Sequence, residues 1–151
     1  MKHYCTFSEA IREGAALRPQ AFGVLRDGKG TANISTCAYA AGYEAITGEV
    51  FWSEDQLYLA VASLFPYMDL DAPRCPSEAC EERLVADSEW DMGDLVIHLN
   101  DTHEWTREQI ADWLEAEEEK LGFVLLSEEE PNCLSITDRE PEMASVSTLM
   151  V

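Results

Sequence analysis

Three short segments of this chain carry the residue order of a helix start, and they constrain its fold more than any other feature. Thr6-Phe7-Ser8-Glu9, Ser53-Glu54-Asp55-Gln56 and Thr106-Arg107-Glu108-Gln109 each set a hydroxyl three residues ahead of a Glu or Gln. In such a capping box the hydroxyl accepts the third amide of the helix. The longer side chain returns to the cap's own amide, so two donors that a helix cannot pair internally are satisfied. Phe7, Ala10, Ile11, Gly14 and Ala15 follow the first box at helical spacing, and Pro19 closes that helix. The second helix start predicts a helix running to Phe65 and stopping before Pro66. The third predicts an apolar stripe of Ile110, Trp113, Leu114 and Leu121, with Asp112, Glu115 and Glu117 to Glu119 facing water and Gly122 as the stop. Trp52 with Leu57, and Trp105 with Ile110, stand where a hydrophobic staple places its two members.

Two further helices are expected. One spans Cys37 to Thr47 and ends at Gly48. Its small residues Ala38, Ala40, Ala41, Gly42 and Ala45 allow another element to approach closely. The other is marked by Met92, Leu95, Val96 and Leu99, which step i, i+3, i+4, i+7. Ala21 to Arg26 and Thr31 to Ser35 flank the turn signal Asp27-Gly28-Lys29-Gly30 and predict one hairpin. Phe123 to Leu126 reads as a short strand. The expected fold is mainly α with one small β-hairpin, an α+β arrangement of about five helices. It forms a compact single domain over residues 1–126, followed by an acidic, Ser/Thr-containing C-terminal tail over 127–151. Trp52, Trp90, Trp105 and Trp113 are the expected anchors of the core.

Charge and cysteine usage bear on function. The chain has 30 acidic and 10 basic residues among its 151, a formal charge of −20. A surface of that sign repels phosphate backbones, so direct nucleic-acid binding is not expected; it can attract a protein partner with a basic surface, or serve only as a solvated acidic face with no partner. No apolar run approaches the ~20 residues of a membrane span. The N-terminus lacks an apolar signal segment, and a cytoplasmic location is expected. Five cysteines at irregular spacing suit reduced thiols or metal ligands better than a disulfide framework. Composition leaves the oligomeric state open.

One constellation carries chemistry. Cys75 and Cys80 are five apart, His98 and His103 are five apart, and all four lie within 29 residues. Zinc favours tetrahedral sulfur and nitrogen ligands, and a Cys turn followed by a helix bearing His is one way to supply them. Residues 66–88, which contain both cysteines, form a long connection holding Pro66, Pro73 and Pro76, a segment that a bound ion would brace. Asp101 is placed to orient a ligand imidazole. The alternative is ordinary thiols and hydrogen-bonded surface histidines.

The stretch from His98-Leu99-Asn100-Asp101-Thr102-His103-Glu104-Trp105 to Leu114 resembles a segment of small uncharacterised bacterial and phage-borne proteins. Their pattern is a Cys-Pro-x-x-Cys or shorter turn followed by His-Leu-Asn-Asp-x-His-x-Trp. Phe7-Ser8-Glu9-Ala10-Ile11, Leu17-Arg18-Pro19-Gln20 and Cys37 to Ala45 are similar to that group as well. The turn here, Cys75-Pro76-Ser77-Glu78-Ala79-Cys80, is longer than the usual form. The resemblance implies a small single-domain protein of prophage origin and brings no activity with it.

Three classes of function follow. The first is a non-catalytic interaction module stabilised by a structural zinc. The second is an acidic inhibitor that imitates a nucleic acid and occupies a basic cleft. The third is a cysteine- or metal-dependent enzyme, in which Cys37 at a helix N-terminus is the reactive thiol, relayed through His98 and Asp101. Thr106 to Leu114 also resembles the first helix of a helix-turn-helix, but Glu115-Ala116-Glu117-Glu118-Glu119 follows it, not a turn and a basic recognition helix.

Overall fold

Each helix begins where a side chain takes up amides that the first turn leaves unpaired. In the computed structural model of the chain, which describes residues 3–28, 34–51, 53–80 and 90–122 and the backbone of 124–125 and 133–134, there are five α-helices among the described residues. Thr6 opens α1 (Phe7–Ala15) and Thr106 opens α5 (Arg107–Lys120), each through a complete capping box. Ser53 caps α3 (Glu54–Leu64) by accepting the Gln56 amide. A further box, Asp91 with Asp94, opens α4 (Met92–Asp101). Cys37 caps α2 (Ala38–Thr47) through its sulfur, and Gly48, at φ 80°, ends it. Pro66 stops α3 and continues it as a single 3-10 turn, Pro66–Asp69.

The hairpin is present but short. Strand β1 (Arg26–Asp27) pairs antiparallel with β2 (Ser35–Thr36), Arg26 facing Thr36 and Asp27 facing Ser35. The extended run expected from Ala21 does not form. Gly23 sits at φ 80°, which no strand residue adopts, so the chain from Pro19 to Leu25 wraps around β2 instead. Thr36 N–H donates to Pro19 O, Ala21 N–H to Thr36 O, and Cys37 N–H to Leu25 O, each at 3.0 Å. A second antiparallel pair, β3 (Val124–Leu125) with β4 (Cys133–Leu134), puts paired backbone inside the expected tail. The rest of that tail, and Trp52 of the expected staple with Leu57, lie outside the described residues.

Helix α2 is the centre. Nine of its ten residues are buried. Its small side chains let α1 in so closely that a Cβ at Gly14 would stand 1.9 Å from Ala41 O, and one at Gly42 would stand 2.5 Å from the Phe7 ring. Around this contact gather Phe7 and Ile11 of α1, Leu57 and Val61 of α3, Leu95, Val96 and Leu99 of α4, and Ile110 and Leu114 of α5. Burying each such side chain contributes about 1.5–3 kcal/mol. Contrary to the expectation from sequence, the three described tryptophans are not the centre of the core. Trp90, Trp105 and Trp113 are partly buried at its edge, while Phe7 meets Tyr39 and Phe65 at centroid distances of 5.3 and 5.5 Å. A tryptophan ring is too large to fit where α1 and α2 nearly touch. Trp105 is half-covered and Ile110 fully buried, as a staple requires.

Three buried polar side chains tie the helices together, and none of them was expected inside. Glu118, assigned to the water face of α5, is 1% exposed. It stands four residues after Leu114 and eight after Ile110, on the buried row itself. Leu121, expected on the stripe, is 36% exposed. Arg107, first in α5, is buried, and its guanidinium donates to Ala15 O, Arg18 O and Thr36 O. Asn100 is fully buried with all four hydrogen-bonding positions filled. Its Oδ1 accepts from Gln20 Nε2 and Ala38 N–H, and its Nδ2 donates to Ala21 O and Asp101 Oδ1.

Candidate metal centre

Residues 72–80 after the 3-10 turn form no helix or strand, and the start of this stretch is paired with the entry of α4. Met92 N–H donates to Leu70 O at 3.0 Å and Ala72 N–H to Trp90 O at 2.9 Å, so residues 70–72 run antiparallel to the entry of α4. That pairing sets the Cys75–Cys80 turn beside α4. Cys80 N–H closes the turn onto Ser77 O at 3.2 Å, and both cysteines are buried.

His98 comes from the second half of α4, seven per cent exposed. The helix runs through Asp101, two residues further than the apolar stepping implied, because Asn100 anchors its last turn to Ala38 and Ala21. Beyond it, Thr102 N–H caps on His98 O, Trp105 N–H returns to Leu99 O, and Glu104 adopts φ 52°. This left-handed residue costs an L-amino acid about 1 kcal/mol and folds the connection sharply back. In the turn before it, His103 meets His98.

The result is a cluster of four ligand groups. The thiols of Cys75 and Cys80 and the rings of His98 and His103 each offer one donor atom, and these four atoms lie within 4.8 Å of one another. Cys80 Sγ is 3.3 Å from His98 Nε2, and His103 Nε2 is 3.0 Å from the same nitrogen. The two imidazoles meet edge to face at 86°, centroids 4.7 Å apart. Trp90 covers the other side of His98, centroid to centroid 4.6 Å.

The four atoms lie close enough together to hold one metal ion. With metal–nitrogen bonds of about 2.0–2.1 Å and metal–sulfur bonds of about 2.3 Å, the edges of the ligand tetrahedron come to roughly 3.3 Å between nitrogens and roughly 3.8 Å between sulfurs. There is a second argument from valence. An imidazole Nε2 carries either one hydrogen or one lone pair, yet two polar atoms crowd His98 Nε2. A cation at the centroid would give every one of these lone pairs a common partner, which a direct hydrogen bond cannot do. If all four groups bound one ion, they would fill a tetrahedron as in structural sites and leave no open position of the kind a catalytic zinc keeps.

The other residues named from sequence fall as follows. Asp101, expected to orient a ligand ring, has its Oδ1 taken up by Asn100 Nδ2 at 2.7 Å, because it lies on the helix beside Asn100 and not in the connection. Thr106 accepts the Gln109 amide at 3.1 Å, and Gln109 Oε1 accepts the Thr106 amide at 2.9 Å. Cys37 is not a reactive thiol. It is fully buried, accepts the Ala40 amide, and burial pushes its pKa up to about 12. A thiol in that setting stays protonated, which argues against the relay through His98 and Asp101. Cys5 is disulfide-bonded, a departure from the expectation of thiols throughout.

A second concave feature lies between α1 and α5, a cleft of about 700 Å³ lined mainly by Glu9, Glu13, Glu115, Glu118 and Glu119. Arg12 crosses its rim, 2.7–2.8 Å from Glu108, Asp112 and Glu115. None of the helices among the described residues is long and apolar enough to cross a membrane. Comparison with known proteins finds no family, no curated protein and no solved structure that matches this chain.

Proposed function

We propose that this protein is a non-catalytic interaction module in which Cys75, Cys80, His98 and His103 hold one structural zinc ion. The observation that carries the reading is the convergence of four ligand atoms within 4.8 Å, two from an irregular segment and two from α4 and its exit. Zinc would join the 70–80 segment to α4, adding to the backbone hydrogen bonds at 70–72 and the packing of the buried thiols. Its contribution is stability of that region, because binding to the folded site alone is folding free energy. The closed donor set argues against hydrolytic use of the ion, and the protonated, buried Cys37 removes the thiol on which an enzyme reading relied.

The partner in this reading is a protein with a basic surface, attracted by a chain of charge −20. A prophage origin would suit the resemblance carried by His98 to Trp105. The test is elemental analysis of protein purified without chelator. One zinc per chain is expected, with an X-ray absorption spectrum of two sulfurs at about 2.3 Å and two nitrogens at about 2.0–2.1 Å. Protein that is fully folded with no zinc, and that takes none up, would refute the metal assignment.

A further inference from the structure

Cys37, Cys75 and Cys80 are free thiols, and they stand in two different settings. Cys37 is wholly enclosed at the start of α2, where its sulfur accepts the Ala40 amide and burial keeps it protonated. Cys75 and Cys80 belong to the four-group cluster, so their sulfurs are no more than 4.8 Å apart. A disulfide sets two sulfurs about 2.05 Å apart. Neither helix nor strand lies between Cys75 and Cys80, so drawing the two sulfurs together disrupts no regular element. Both thiols come from this one turn, whereas His98 comes from α4 and His103 from its exit. A bond between the sulfurs is therefore local to the turn and makes no link to the helix.

Zinc and a disulfide compete for the same electron pairs. A cysteine thiolate is both the metal ligand and the nucleophile. Once the two sulfurs are bonded to each other they are thiolates no longer, and only His98 and His103 remain to face the ion. Two ligands stand where a closed site uses four. The oxidant that suits this turn is small and uncharged. Cys75 and Cys80 are only 4% and 6% exposed, which admits little beyond a small molecule. A chain of charge −20 repels anions. Hydrogen peroxide meets both conditions.

We infer that Cys75 and Cys80 are a reversible redox pair, closed to a disulfide by hydrogen peroxide, and that closing it expels the zinc and loosens the Cys75–Cys80 turn from α4. The inference rests on the metal reading above and gives that site a regulation. In the first step one thiolate attacks the peroxide, the O–O bond breaks, and a sulfenic acid forms. The departing hydroxide takes up a proton and becomes water. In the second step the other thiolate attacks the sulfenic sulfur, the S–S bond forms, and a second hydroxide leaves and is protonated to water. Two thiolates, one peroxide and two protons thus give one disulfide and two waters. The sulfurs together lose the two electrons that the peroxide gains. A thiol reductant returns both electrons, and the site can then take zinc again.

The experiment uses the full chain, purified without chelator and with its zinc content measured first. Hydrogen peroxide is added in the presence of a zinc indicator dye, remaining thiols are alkylated, and peptides are mapped by mass. The map is read against the untreated chain, in which Cys5 is already disulfide-bonded. One zinc per chain should be released in step with the loss of two thiols, and a Cys75–Cys80 linked peptide should appear. Cys37 should stay reduced. A thiol reductant with added zinc should restore the starting state. Hydrogen exchange over 73–80 should quicken on oxidation more than in α1 and α2. In Cys80→Ser no partner sulfur is left, so peroxide should give a sulfenic acid at Cys75, trapped by a diketone, and no linked peptide there. Four results would overturn the switch. These are a linked peptide with zinc retained, zinc release with no linked peptide, a disulfide joining Cys75 or Cys80 to another cysteine instead, or oxidation that the reductant does not reverse. A chain that holds no zinc at the outset fails the metal reading and overturns the expulsion with it. Zinc that is bound and then kept through oxidation leaves the metal reading standing and overturns only the switch.

Discussion

Ser8, the second residue of α1, donates both its backbone N–H and its hydroxyl to the carboxylate of Glu118, 110 positions away in α5, at 3.2 and 2.5 Å. Tyr67 hydroxyl donates to the same carboxylate and accepts the Phe7 amide. Thr6 takes the Glu9 amide. The first three amides of α1 are therefore capped by three side chains from three parts of the chain, and a buried acid is shared between two helices and the 3-10 turn.

This arrangement predicts a pH signature. Burial raises the pKa of Glu118 above its ordinary value of 4.5, with the hydrogen bonds from Ser8 and Tyr67 opposing that rise only in part. A carboxyl whose folded pKa is raised contributes stability that is whole below the unfolded value and is lost as pH climbs through the folded value. The melting temperature of Glu118→Gln, compared with the parent, should thus move in favour of the variant as pH rises above 4.5. A difference between the two that stays constant with pH would contradict this.

Metal removal gives the second prediction. Zinc at one hundred times its dissociation constant adds about 2.7 kcal/mol to folding, which corresponds to about 5–10 °C in a chain of this size. Chelator should lower the melting temperature of the parent by that order. His103→Ala, at the most accessible of the four ligands, should already be lowered and should no longer respond to chelator. Hydrogen exchange in Cys75→Ser should quicken over 70–80 and 90–104 more than in α1 and α2. Uniform quickening across all helices would point to general destabilisation and not to a local brace.

Asn100 supplies the third. Asn100→Asp keeps the two acceptor contacts but removes the donors to Ala21 O and Asp101, and places a carboxylate against the Asp101 oxygen at hydrogen-bonding distance. The loss should be about 3 kcal/mol or more, read by denaturant unfolding. A loss under about 1 kcal/mol would mean that the amide is not the anchor of the α4 exit.

The fourth concerns a cap. Thr106→Ala removes the acceptor of the Gln109 amide and should cost about 1 kcal/mol, while Thr106→Asp should retain most of the stability. Equal loss in both variants would mean that the hydroxyl bond contributes nothing and that only the staple of Trp105 and Ile110 holds the helix start.

The sequence by itself determined the local features. Thr6, Ser53 and Thr106 marked three helix starts because capping depends on residues three apart, and Gly48 and Pro66 marked two ends for the same local reason. The stepping of Met92, Leu95, Val96 and Leu99 marked α4, and the Cys75, Cys80, His98, His103 set was legible because ligand types and spacing are written in the chain. What only the tertiary structure decided depends on contacts between distant segments. Glu118 reads as one more surface acid beside Glu117 and Glu119 until Ser8 and Tyr67 arrive to accept its burial. Its place on the row of Ile110 and Leu114 was the one available sign. Cys37 reads as activated by a helix N-terminus until α2 proves to be the buried centre, where desolvation outweighs the amides it accepts. Trp90, Trp105 and Trp113 yielded the core to Phe7 because Gly14 and Gly42 bring two helices too close for a larger ring. Convergence of the four ligands likewise rests on the pairing of residues 70–72 with the α4 entry and on the turn that follows α4, since spacing can supply ligands but only packing can aim them at one point.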